Sequence, residues 1–154
     1  WHLDTSALIN RQIFNCLTYR KRNLTYKVSV VALGELVLKY GDFQNNSEWE
    51  HHIHEIANLI GKIMHPYVPE RGECCGLGGD LCDSFLKVLQ EVLKADNRIS
   101  VNDALIITYA LIDKDCTGLI TTDSDILNSK GLRMLARKYG KKLAEPEYLG
   151  CGRE

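Results

Sequence analysis

The sequence predicts an α/β fold: a central, mostly parallel sheet of four or five strands between two layers of helix. Three observations predict it. Short apolar or β-branched runs alternate along the chain with longer segments of helical periodicity. Several of those runs end in an acid or pass directly into a helix start. The chain is 154 residues long, shows no internal repeat and fits one domain. Apolar residues at 45% and charged residues at 25% are ordinary globular composition, ample for a core without staples.

His2-Leu3-Asp4 reads as a short strand ending in Asp-Thr-Ser, a helix start. Ala7 to Tyr19 reads as one helix, with Leu8, Ile9, Ile13, Phe14 and Leu17 at helical spacing. Tyr26 to Val31 is β-branched and predicts a strand, followed by a short helix over Ala32 to Lys39. Ser47 to Met64 predicts a long amphipathic helix, with His51, His52 and His54 falling mostly on its solvated face. Pro66 to Pro69 is extended, and a second long helix runs from Asp80 to Ala95. Ser100 opens a helix that continues to about Asp113. Gly118 to Thr122 is a strand that ends at Asp123. A helical turn around Ile126 and a helix over Gly131 to Tyr139 follow, and Glu145-Pro146 is a final edge strand or a loose tail. The domain is therefore placed at 1–145, with a Cys/Gly-rich loop at 70–82 and a tail at 146–154.

No apolar run approaches the ~18 residues of a membrane span. Trp1-His2-Leu3-Asp4 also lacks the basic and apolar regions of a secretory signal. A cytoplasmic protein without membrane contact is expected. Of the six cysteines, Cys16 and Cys116 lie in apolar helical patterns and read as small core residues. Cys74, Cys75, Cys82 and Cys151 read as free thiols, or as disulfides in a hyperthermophile.

The formal charge of −1 hides an uneven distribution. Acids stand at the ends of apolar segments: Asp4, Glu35, Asp103, Asp123 and Asp125. Bases cluster elsewhere, in Arg20-Lys21-Arg22 and in Lys130, Arg133, Arg137, Lys138, Lys141 and Lys142. In an open α/β sheet the carboxyl ends of the strands gather at one edge, and sites form in the crevice there. Asp4, Glu35, Asp103 and Asp123 are thus expected to meet, and four carboxylates at one place repel unless cations join them. Oxygen-only ligands favour Mg2+ or Mn2+ over zinc. Asp125 is a further candidate ligand, or else caps the turn that follows. Ser6 and Thr121 carry hydroxyls placed to hold the carboxylates or a phosphate oxygen. Singly, each acid also has a structural reading, as a helix cap, a capping box at Ser100–Asp103 or a turn former.

The chain resembles PIN domains at Leu3-Asp4-Thr5-Ser6-Ala7-Leu8, Val30-Val31-Ala32-Leu33-Gly34-Glu35-Leu36, Val101-Asn102-Asp103-Ala104-Leu105-Ile106 and Leu119-Ile120-Thr121-Thr122-Asp123-Ser124-Asp125-Ile126-Leu127. The order and context of the four segments agree over nearly the whole chain. The resemblance implies a metal-dependent endoribonuclease in which Asp4, Glu35, Asp103 and Asp123 bind one or two Mg2+ or Mn2+ ions, directly or through water. It implies an RNA substrate and a homodimer. It is similar in length to the toxin nucleases of the VapBC type, which implies an antitoxin partner. The alternatives are an RNA-processing or decay nuclease without antitoxin, and a non-catalytic RNA-binding scaffold. A third class, an acidic phosphoryl-transfer domain, lacks the second Asp two residues after Asp4 and a late strand-end lysine. Glu70 to Cys82 is longer than the PIN pattern and holds Gly76-x-Gly78-Gly79, without the Lys-Ser/Thr of a P-loop.

Overall fold

A computed structural model of the chain describes residues 1–42, 46–62, 64–67 and 80–152, the side chains of 40 and 80–84 apart. Five strands form one sheet: β1 (His2–Leu3), β2 (Tyr26–Ser29), β3 (Met64–Tyr67), β4 (Gly118–Ile120) and β5 (Lys142–Ala144). Their order is β3-β2-β1-β4-β5, and every pairing is parallel. The sequence order runs outward from β1 in one direction and returns on its other side. The topological switch therefore falls between β1 and β4, where an open α/β sheet leaves its crevice.

The helices are α1 (Thr5–Ile9), α2 (Arg11–Asn15), α3 (Val30–Asp42), α4 (Ser47–Leu59), α5 (Asp80–Ala95), α6 (Val101–Ile112), α7 (Ser124–Leu127) and α8 (Lys130–Lys138). Each residue of β1 and β4 is buried, as strands covered on both faces require. Leu3, Leu119 and Ile120 meet Leu8, Phe14, Ile106 and Ile107 in one core. At Gly118 a side chain would collide with the Lys142 carbonyl, so only glycine lets β5 approach β4.

Local chemistry explains where the elements depart from the expected boundaries. The helix expected over Ala7 to Tyr19 breaks at Asn10, whose backbone is extended and whose side chain accepts a hydrogen bond from Ile13 N–H at 3.1 Å. Asn10 thus caps α2, which runs on into a π-helical turn at Cys16–Arg20. The helix expected to reach Met64 ends at Leu59, because Ile60 is extended and Gly61 adopts φ +88°. Met64 then starts β3, whose exposed Pro66 is tolerated because the strand lies at the sheet edge.

Three further expectations are corrected. Cys16 is joined to Cys151 in a disulfide, not left as a small core thiol. Cys116 is buried as expected, but in the connection before β4. His52 is buried, not solvated: it shares the inward face of α4 with Ile56, and its Nε2 lies 2.8 Å from the Leu8 carbonyl. The tail is docked over its described part, with a 3-10 turn at Pro146–Leu149 and a buried Cys151. Residues 70–79 and the side chains of Cys82 and its neighbours lie outside the described residues, and with them the glycine-rich loop, Cys74 and Cys75. Among the described residues, no helix is long and apolar enough to cross a membrane.

Candidate active site

Asp4 follows β1 and is the N-cap of α1. Its own N–H donates to the Ile120 carbonyl at 2.9 Å, so the chain leaves the sheet only after pairing with the end of β4. The carboxylate is nearly buried, at 4% exposure. Among the described residues, three donors hold it: Thr5 N–H to Oδ1 at 2.8 Å, Ser6 Oγ to Oδ2 at 2.8 Å and Thr121 Oγ1 to Oδ2 at 2.6 Å. A carboxylate has about four lone-pair positions, so roughly one stays open for a further partner. Burial pushes the Asp4 carboxyl above the usual carboxylate range. The hydroxyls of Thr121 and Ser6 pull it back, and the charge of Asp103 pushes it up again.

The supporting hydroxyls are themselves tied. Ser6 Oγ also receives Thr122 N–H at 3.0 Å, and Thr121 Oγ1 receives Asp123 N–H at 3.0 Å. Ser6 and Thr121 thereby connect the end of β1 to the end of β4 and hold the Asp4 carboxylate between them. Asp123, half-buried, caps α7 by accepting Asp125 N–H on Oδ1 at 2.8 Å. One of its oxygens is used, and the other has no partner among the described residues.

Asp103 sits in the first turn of α6, where its N–H donates to the Ser100 cap at 3.1 Å. The reciprocal half of a capping box is not made, and its half-buried carboxylate has no hydrogen bond or ion pair among the described residues. Glu35 is half-buried in the second turn of α3, likewise without a partner among the described residues. Its helix packs against both α1 and α6, the two helices that begin beside Asp4 and Asp103. Asp125 is exposed, and its charge is felt at Arg98, although Asp96 is the main cause of that guanidinium's raised pKa. The structure thus brings Asp4, Ser6, Thr121 and Asp123 into one hydrogen-bonded unit, with Asp103 within electrostatic reach. Among the described residues, no three of the acids bring carboxylate oxygens within 4.8 Å of one another.

The donor set fits a hard divalent cation. It offers only oxygen, and Asp4 carries a burial penalty and a repulsion from Asp103 that a cation would offset.

A second cluster, absent from the sequence reading, lies at the opposite, amino end of the strands. His2, Asp113 and Cys116 place ligand-type atoms within 4.8 Å of one another, all buried. Here the chain supplies its own cations. Asp113 Oδ2 accepts from Lys27 Nζ and pairs with His2 Nε2, each at 2.8 Å, while buried Lys141 Nζ donates to the Asp113 and Cys116 carbonyls. Burial would raise the Asp113 carboxyl, but the hydrogen bonds from Lys27, His2 and Asp115 N–H outweigh it and hold it low. Burial drives the His2 pKa down to about 4, against the pull of Asp113. His2 is therefore neutral and donates through Nε2–H, its Nδ1 having no hydrogen-bond partner among the described residues. Its only sequence signal was a histidine inside an otherwise apolar strand.

No protein-family model and no curated protein matches the chain. Its structure is similar to that of VapBC2 from Rickettsia felis, solved bound to a DNA fragment from their promoter. The TM-score is 0.58 over 94% of this chain and 96% of that one, at 16% identity. The likeness shows a shared fold, the PIN-like α/β arrangement expected from the motifs.

Proposed function

We propose that this protein is a divalent-metal-dependent endoribonuclease that acts as the toxin of a toxin–antitoxin pair. The observation that carries the reading is Asp4: a buried carboxylate at the topological switch point, braced by two hydroxyls and a backbone N–H, with Asp103 close enough to disturb its charge. The fold shared with VapBC2 supports the antitoxin partner.

In this reading Asp4, Asp103 and Asp123 would hold Mg2+ or Mn2+, with Glu35 on α3 as a further ligand, directly or through water. The chemistry a bound ion would supply is Lewis acidity toward a phosphate oxygen. Ser6 and Thr121 would keep the Asp4 carboxylate in one rotamer for it. Thr5 N–H and the start of α1 favour the ionised form of Asp4 from the other side. The unpaired carboxylate of Glu35 is the group available to accept a proton from an attacking water.

The test is incubation of labelled single-stranded RNA, and of a cellular RNA pool, with Mn2+, with Mg2+ and with EDTA. Wild type is expected to cut only with metal, and Asp4→Asn to lose on the order of 100- to 1000-fold in rate. If Asp4→Asn cuts as fast as wild type, the site is wrong. Tight RNA binding with no metal-dependent cleavage would make the protein a scaffold instead.

A further inference from the structure

We propose that the groove between α8 and the edge strand β5 is a binding site for single-stranded RNA, taking phosphates on Arg133, Arg137 and Lys142 and a base on Tyr148. The proposal rests on the ribonuclease reading for the choice of polyanion, while the groove itself is defined by its own residues. It has a volume of about 480 Å³ along the outer edge of β5, and among the described residues no acid lines it.

The charges there are not spent elsewhere. Helix α8 carries Lys130, Arg133, Arg137 and Lys138 and not one acid. Lys138 is taken by Glu91 at 3.2 Å, and Lys141 is buried against backbone carbonyls. Arg133 and Arg137, one helical turn apart and both exposed, have no side-chain hydrogen bond or ion pair among the described residues. Two unpaired guanidiniums on one wall suit the phosphates of a flexible strand.

The aromatic element separates a nucleic-acid site from a plain basic patch. Tyr148 is 57% exposed, yet its ring is held in place. Lys142 Nζ donates to its hydroxyl at 2.6 Å and stands 4.7 Å from the ring centroid, and Trp1 packs edge-on at 5.7 Å. A fixed, exposed ring beside three cations is a stacking platform of the kind that single-stranded binders use. Duplex RNA, whose bases are already stacked, has no use for it. The groove runs along β5 from Lys142 at the amino end of the strand to Ala144 at its carboxyl end, the end where Asp4 sits. Ala144 at its far end accepts Thr121 N–H at 3.0 Å, which sets the groove two strand spacings, about 10 Å, from β1. The neighbouring cleft at Thr122 is lined by Glu145 and Glu147 and is not part of the site.

The experiment is fluorescence anisotropy of a fluorescein-labelled 12-nucleotide RNA, single-stranded or as a duplex, titrated with the full chain in EDTA over a salt series. Arg133→Ala/Arg137→Ala should weaken single-strand binding roughly 10- to 100-fold and lower the slope of log K against log salt by about 1.4, at ~0.7 per phosphate. Tyr148→Ala should weaken the single strand roughly tenfold and leave the duplex unchanged, with Tyr148→Phe restoring most of the loss. Wild-type affinity in all three variants overturns the proposal. So does an equal loss for duplex and single strand in Tyr148→Ala, or a polyglutamate peptide that competes fully with RNA, which would mark an acidic protein as the ligand. The two readings fail separately. Asp4-dependent cleavage with groove variants that bind and cut as wild type removes the groove alone. Groove-dependent binding without metal-dependent cleavage removes the nuclease alone.

Discussion

The two ends of the sheet carry the same kinds of residue and treat them in opposite ways. At the amino end, Asp113 is buried and its charge is met from within by Lys27, with a hydrogen bond from neutral His2 and the Lys141 ammonium on its backbone carbonyl. At the carboxyl end, Asp4 is equally buried, but among the described residues its donors are all neutral, and the charge that acts on it is that of another acid. A buried acid that exists for stability is given its counter-charge by the chain. One left without it costs stability, and the cost makes sense where something outside the chain supplies the charge. The contrast supports the proposed site at the carboxyl end more than the acids' positions do.

Breaking the amino-end network should have the largest effect on the fold. Asp113→Ala leaves Lys27 and buried His2 without their partner and removes the cap on Asp115 N–H. A loss of about 3 kcal/mol is expected, near 10 °C in Tm, with metal-dependent cleavage by the folded fraction unchanged. Urea melts and cleavage rates normalised to folded protein check both halves. Lost cleavage in well-folded protein would erase the distinction between the ends.

Acid should separate the ends next. His2 titrates at about 4 when folded and near 6.5 when unfolded, so only the unfolded chain takes up its proton between those values. Its contribution is complete above pH 6.5 and is lost as pH falls toward 4, about 2 kcal/mol by pH 5 at 1.36 kcal/mol per unit. Asp4 acts with the opposite sign: its folded pKa is raised, so protonation as pH falls relieves a penalty. Urea midpoints at pH 7 and pH 5 should show the His2 loss in wild type and not in His2→Gln. An equal loss in both would place the acid sensitivity elsewhere.

The smallest effect on stability is expected at Thr121. Thr121→Val removes the hydroxyl donated to Asp4 at 2.6 Å and the acceptor for Asp123 N–H, at a cost of about 1 kcal/mol. Because that hydroxyl holds the Asp4 carboxyl down, its loss should move the acidic limb of the cleavage profile to higher pH and weaken Mn2+ activation roughly 10- to 100-fold. An unmoved pH profile would reduce Thr121 to packing.

Much of the carboxyl end was legible because it is written locally. The strands at Leu3 and at Gly118–Ile120 are apolar and are followed by Asp4 and Asp123, and a parallel sheet must bring such ends to one edge. Ser6 and Thr121 were legible for the same reason, lying two residues from an acid. The amino end was not, because nothing near His2 announces Asp113, 111 positions away. The disulfide between Cys16 and Cys151 spans 135 positions and is equally silent in local pattern. His52 was misread because a histidine on a helix looks solvated until α1 offers it the Leu8 carbonyl. Glu35 remains the acid most dependent on motif resemblance, since no contact among the described residues ties it to Asp4.

We propose that the carboxyl end takes from solution the counter-charge that Lys27 supplies at the amino end. The most direct measurement is the Tm of wild type, Asp4→Asn and Asp113→Asn across a Mn2+ titration. A ligand that binds only the folded state at 100 times its Kd adds about 2.7 kcal/mol. A rise of roughly 5–10 °C is expected in wild type and in Asp113→Asn, and none in Asp4→Asn. A rise that survives in Asp4→Asn and disappears in Asp113→Asn would put the metal at the amino end of the sheet and overturn the proposed site.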